Sequence, residues 1–392
     1  MKAKSIKGIS VEEIKTALLQ SMTDARLPDG QGFKPTLAFV FCSLKQDPDA
    51  ICSILENEQI AIFGASSSGE FIDGYQGEGS AAILLLDIKP EHFSILFEEV
   101  GNRNVKDVAR KMGEDALRIF KKPAFILTAN GDVETDEPIN GEMIVRGIEE
   151  AVGPDVTISG GTAGNDMQLT GTRIFMQGRS SYRGVMALVL DEDKIEMHGL
   201  AVSGWKPVGT IKTVTKSEGG WVYSIDDKPA LDIFLNYMGK PSLEGNTENE
   251  NFYNLGSTYP LQIQRESGNP AMCAPAMFNK KEGSLLCEYN LPVGTKFRFS
   301  LPPDFDIIEE VLAQSEEVKT ANHASADALL IFSCLGRLLN LGPLANEELE
   351  GLKNIWGVPM AGFYCYGEFG RTKNDRQDFH STTISWAVLK EK

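Results

Sequence analysis

The chain of 392 residues is 42% hydrophobic and 24% charged, with 38 Gly and 18 Pro, a balance that excludes disordered, collagenous and disulfide-scaffold proteins. At roughly 150 residues per domain, it holds more than one folding unit. Lys and Arg number 38 against 55 Asp and Glu, a net charge of −17, so the molecule's field repels phosphate backbones and anionic headgroups, and nucleic acid is not an expected partner.

Residues 1–33 read as a helical lead-in with charges every few positions and no apolar stretch for a signal peptide. The longest apolar runs, Ala81–Leu86 and Val185–Leu190, are far short of the roughly 18 to 20 residues that cross a bilayer. The cysteines, Cys42, Cys52, Cys273, Cys287, Cys334 and Cys365, contain no CxxC pair and lie in or beside apolar runs, as reduced thiols in a core do. The expectation is a cytoplasmic protein without membrane insertion.

From Leu37 onward three segments share one plan: an apolar strand, a helix, a second strand and a glycine turn. The first runs LAFVFCS, a helix opened by Asp47 and Pro48, IAIFG and the turn ASSSGEF. The second runs AFILTANGD from Ala124, a helix over Gly141–Val152 announced by Pro138 and Asn140, VTISGG and TAGND. The third runs ALLIFSC from Ala328, NEELEGLKNIW, VPMAG and FYCYGEFG, so that Gly64-x4-Gly69-Glu70-Phe71 is matched by Gly362-x4-Gly367-Glu368-Phe369. A further apolar strand follows each turn, at Ser80, Gly184 and Ser381. Strand–helix–strand order calls for a crossover, and the expected class is α/β (α+β): repeated β-α-β-turn-β units forming mixed sheets, in two domains. Between the second and third copies lie a hairpin-like SEGGWVYSIDD, a helix from Pro229, a polar loop over residues 239–257, a second hairpin around Lys280–Gly283 and a strand, KFRFS, that leads into a helix.

Catalytic motifs are scarce. The turn Gly64–Gly69 has P-loop glycine spacing, but Glu70 stands where the lysine belongs. Gly160-Gly-Thr-Ala-Gly164 offers a threonine in place of a nucleophilic serine, and His92, His198, His323 and His380 form no dyad motif. No zinc motif is present. The acidic group Asp132, Glu134, Asp136 and Glu137 lacks calcium-loop spacing and reads as support for the following helix. Cys365 is open to three readings, a reactive thiol, a haem thiolate or a small core hydrophobe.

What remains is binding. Glycine turns at strand ends leave backbone N–H groups free and let a ligand approach the main chain, so the expected site is one pocket between the three turns. Its candidates are Ser66, Ser67, Ser68, Gly161, Thr162 and Asn165 for hydrogen bonds, Glu70, Asp166 and Glu368 for a cation, Trp205, Tyr364 and Tyr366 as walls, and Arg337 for a carboxylate. Such an inventory suits a zwitterion. The alternative is architectural: Glu70 and Glu368 cap backbone amides while Phe71 and Phe369 plug the core.

The series GASSSGEF, ISGGTAGND, Arg173-Ile-Phe before GVMALVL, Gly204-Trp-Lys-Pro-Val-Gly209, Val222-Tyr-Ser-Ile-Asp-Asp-Lys-Pro-Ala-Leu-Asp232, FSCLGR and GFYCYGEFG resembles the FIST family over nearly the whole chain. The resemblance implies a FIST N-terminal domain over 34–224 and a C-terminal one over 225–392. It also implies a sensory protein of bacterial type that binds amino acids or related metabolites. Many relatives are fused to kinase or cyclase output modules, and since the roughly 33 residues before the first strand are too few for one, signalling in trans to such a partner is expected. No catalytic residue, metal or cofactor is expected. The alternatives it leaves are a haem-based nitric-oxide sensor and an enzyme of unknown reaction.

Overall fold

The computed structural model describes residues 1–23, 32–132, 139–239, 249–265, 269–301, 304 and 306–392. Pro138, the acidic residues Glu134, Asp136 and Glu137, and residues 240–248 of the expected polar loop lie outside these.

Each repeat builds a six-stranded mixed sheet, and the last two strands of each sheet come from another repeat. The first sheet runs Lys2–Gly8, Ala81–Asp87, Leu37–Cys42, Ala61–Ser66, Ile174–Met176, Arg179–Ser181. The second runs Phe93–Glu99, Gly184–Asp191, Pro123–Ala129, Ile158–Gly161, Glu368–Arg371, Gln377–His380. The third runs Ile195–Val202, Ile384–Glu391, Ala328–Cys334, Met360–Cys365, Glu70–Ile72, Tyr75–Gly77. In all three the central pair is parallel and every other pairing is antiparallel. The hairpin that follows each turn therefore leaves its own sheet: the first repeat's joins the third sheet, the third's joins the second, and the second's joins the first. The exchange closes a ring.

Local chemistry explains the central units. Helix Pro48–Asn57 begins on the Asp47 carboxylate, which accepts from the Asp49 and Ala50 amides, and helix Gly141–Val152 begins on Asn140. Helix Ala345–Trp356 stops at Gly357, whose φ of +66° suits glycine. The parallel strands are apolar on both faces because both are covered. Leu37, Phe39 and Phe41 face a core shared by all three sheets, with Ile126, Phe332 and Phe363, whereas Ala38, Val40 and Cys42 face Ile14, Leu18 and Ile51 of flanking helices. Phe41 stacks on Phe363 with ring centroids 4.6 Å apart.

The lead-in departs from expectation. Lys2–Gly8 is a strand, followed by helix Val11–Thr23. It lies antiparallel along Ala81–Asp87, and an edge strand that covers an already apolar neighbour needs few apolar residues of its own, so its pattern hides it.

Between strand Ile195–Val202 and helix Asp306–Ala321 the third repeat carries an inserted antiparallel sheet, ordered Ala271–Cys273, Leu261–Ile263, Lys296–Ser300, Pro207–Glu218, Trp221–Ile225, Ser284–Cys287, Pro275–Asn279. One face buries Phe297 and Phe299 with Phe234 and Phe252 of helices Ala230–Tyr237 and Asn249–Thr258. The other carries Met272, Gln262 and Arg298 in register across three strands. Among the described residues no helix is long and apolar enough to cross a membrane.

Candidate functional site

The three turns do meet, and they are stitched to one another. Ser68 N–H donates to the Tyr364 carbonyl and Tyr364 N–H to that of Gly69, both at 2.9 Å. Gly164 N–H reaches the Ser66 carbonyl at 2.8 Å, Asp166 N–H that of Ser67 at 3.0 Å, and Thr162 N–H that of Gly367 at 2.9 Å. Side chains continue the pattern. Ser66 Oγ donates to the Gly164 carbonyl at 2.6 Å and accepts from Arg173 N–H at 2.8 Å. Ser68 Oγ accepts from Met167 N–H at 3.3 Å, and Tyr366 Oη accepts from the Asn165 and Leu169 amides at 3.1 and 3.0 Å. Asn165 donates its side-chain amide to the Thr170 carbonyl, and Asp166 accepts from Ser43 Oγ at 2.8 Å. Gly161 lies against Cys365, with a β-carbon there only 2.9 Å from Sγ. Most donors and acceptors that the turns offer are thus consumed by neighbouring turns and strands, whereas the Tyr364 hydroxyl is buried without a partner.

Two turns share a glutamate clamp. Glu70, fully buried, accepts from Ser67 Oγ and from the Ser80 amide and hydroxyl at 3.1 and 2.8 Å. Glu368, equally buried, accepts from Cys365 Sγ at 3.1 Å and from the Thr383 hydroxyl and amide at 2.7 and 3.2 Å. Burial raises Glu70 to about 7 against the pull of the Ser67 and Ser80 hydrogen bonds, and raises Glu368 to about 8 against those of Thr383 and Cys365, with Glu288 nearby adding to the rise. Gly79 and Thr382, at φ of +72° and +54°, turn the chain so that Ser80 and Thr383 face the two carboxyls. The same burial, with Glu368 as the next cause, pushes the Cys365 thiol well up, which leaves it protonated and weakly nucleophilic.

The aromatic residue after each clamp is a plug, and Phe175, with no clamp before it, does the same in the remaining hairpin. Phe71 pairs across strands with Gly362, Phe369 with Gly160, and Phe175 with Gly64. A β-carbon at Gly64 would lie 2.2 Å from the Phe175 ring, and one at Gly362 2.3 Å from that of Phe71. At Gly64 and Gly362 the glycine is a socket for the imported hairpin, whereas a β-carbon at Gly160 would meet the Leu127 backbone. Tyr364 packs edge-on against Phe71, with ring centroids 5.2 Å apart. Sequence reading missed Phe175, which carries no Gly-Glu before it.

Arg337 and Trp205 take no part in the hydrogen bonds that join the turns. Arg337 is fully buried, its Nε 2.8 Å from Glu348 Oε2, its Nη2 2.5 Å from Oε1 and its Nη1 2.6 Å from the Ser203 carbonyl. The guanidinium also stacks 5.6 Å from the Trp205 ring. Its bidentate carboxylate is internal. Trp205 lines a cleft of about 410 Å³ where the inserted sheet meets the third repeat, together with Gln262, Met272, Glu310, Gln314 and Lys373. Trp205 is only 5% exposed and is held by its Nε1 bond to the Thr258 carbonyl and by the Gln262 amide on its own carbonyl. Over the cleft, Asn269 of the inserted sheet reaches the Thr372 hydroxyl at 2.9 Å, the Lys373 carbonyl at 3.2 Å and the Asp375 carboxylate.

Among the described residues no three His, Cys, Asp or Glu side chains group as metal ligands. No histidine or cysteine lines this cleft or the cavities of about 380 and 280 Å³ beside it.

Comparison with family models matches the FIST N domain over residues 36–228 and the FIST C domain over residues 230–371. The junction between them falls within the inserted sheet. No curated protein matches the chain.

Proposed function

The chain belongs to the FIST family, whose domains are associated with sensory signal transduction and small-ligand binding, and from that premise we propose a non-enzymatic sensory protein whose ligand occupies the cleft beside Trp205. One observation carries the reading: the cleft is bounded on one side by the inserted sheet and on the other by helix Asp306–Ala321 and the loop near Lys373, so a molecule lodged there touches both bodies at once. Occupancy then favours one spacing of the two over another, a population shift that a partner acting in trans, such as a kinase or cyclase, reads in the cytoplasm. Amino acids and related metabolites remain the class to screen, with Trp205, Met272 and Gln262 giving an apolar wall and a hydrogen-bonding edge.

The test is ligand-induced stabilisation across an amino-acid and metabolite panel. A ligand at about 100 times its Kd stabilises by about 2.7 kcal/mol. Gln314→Trp, which fills the cleft from the half-exposed helix, is expected to abolish that gain, and Glu368→Gln to preserve it. The reverse result moves the site to the turns. A panel with no stabilising member favours an adaptor without a ligand, consistent with turns filled by their own groups.

A further inference from the structure

Beside the cleft lies a second cavity of about 380 Å³ walled by Pro207, Gln262, Gln264, Arg265, Pro270 and Arg298. Its charge follows from strand alternation. In KFRFS, Phe297 and Phe299 turn to the core and Arg298 to the opposite face, in register with Gln262. Both arginines have a buried Nε without a hydrogen-bond partner, but their ion pairing differs. Arg265 donates to Glu142 Oε1 at 2.9 Å and pairs with Asp378 Oδ2 at 2.9 Å, and Arg146 shares both acids. Arg298 is half-buried, its Nε is buried without a hydrogen-bond partner, and it forms no ion pair among the described residues. In a chain with 55 Asp and Glu, a guanidinium that faces a cavity with no counterion among the described residues stands out, because partial desolvation of a cation favours an anionic partner.

We propose that this cavity is an oxyanion site, in which the Arg298 guanidinium takes a small carboxylate or phosphate group through paired N–H donors, with Arg265 and the Gln264 amide around it. The site goes beyond the cleft reading: the two cavities share Pro207, Gln262 and Pro270, but Arg298 and Arg265 do not line the Trp205 cleft. The local field of the guanidinium overrides the repulsion of the distant net charge, which salt screens within about 8 Å at physiological ionic strength.

Titration calorimetry of the full chain at fixed ionic strength, with succinate and with inorganic phosphate as probes, tests it. Saturable binding of at least one probe is expected, weakened tenfold or more by Arg298→Gln, weakened less by Arg298→Lys, and unchanged by Gln314→Trp. Which probe binds decides between carboxylate and phosphate. Absence of saturable binding by either probe, or equal affinity in wild type and Arg298→Gln, overturns the site. If Arg298→Gln does not fold, Arg298→Lys decides: unchanged affinity for a bidentate oxyanion overturns the proposal. Loss of metabolite binding in Gln314→Trp with the anion site intact, and the converse, separate this site from the cleft.

Discussion

Glu70 and Glu368 keep protons at pH values where the same side chains in an unfolded chain have lost them. Their ordinary value is 4.5, and burial moves them to about 7 and about 8. Between those limits the folded state binds more protons than the unfolded one, so the stability tied to each group is complete below about 4.5 and drains away as pH rises through 7 to 8. Glu70→Gln keeps an oxygen for the Ser80 donors, and the Ser67 hydroxyl can turn to accept from the new amide. That variant is expected to gain on wild type as pH rises from 5 to 8, by on the order of 3 kcal/mol at the upper end, as read from melting temperatures across the range. Parallel wild-type and variant profiles would contradict the buried acid. The clamp residues were legible because Gly-Glu-Phe recurs. Their role was settled by Ser80 and Thr383, ten and fifteen positions downstream of the carboxyls, where no local spacing points.

Strands and helices of the three repeats stand out in sequence because caps, glycine stops and apolar runs are local. The partner of each hairpin does not, since the edge it chooses lies far along the chain: Phe175 meets Gly64, and Phe71 meets Gly362. Those plugs hold the exchange together. Phe175→Ala is expected to cost about 3 to 5 kcal/mol, and Gly64→Ala, whose methyl would collide with that ring, about 1 to 3 kcal/mol. The double substitution should cost clearly less than the two added, because the new methyl occupies part of the space the ring leaves. Denaturant midpoints give the cycle, and simple additivity would mean that the two residues do not act as plug and socket. The strand Lys2–Gly8 escaped sequence reading for a related reason, as its identity comes from the neighbour it covers.

At the scale of the molecule, the cyclic exchange makes the halves interdependent. A fragment of residues 1–204 retains the first hairpin but not its acceptor Met360–Cys365, and its second sheet lacks Glu368–His380. It is expected to show no cooperative heat-absorption peak by itself and to regain one when co-expressed with residues 205–392. A sharp unassisted transition would show that the exchanged hairpins are dispensable. The sequence by itself determined the repeat, the kind of element at most positions, the poverty of catalytic motifs and the family, because these rest on residue spacing along a few turns of chain. Only the tertiary structure decided that the turns spend their hydrogen bonds on each other, that Arg337 is claimed by Glu348, and that the open space lies beside Trp205 and Arg298. Apart from the Arg337–Glu348 pair, which spans eleven residues, those outcomes depend on which distant strands pair and which faces then oppose, and no local spacing reports that.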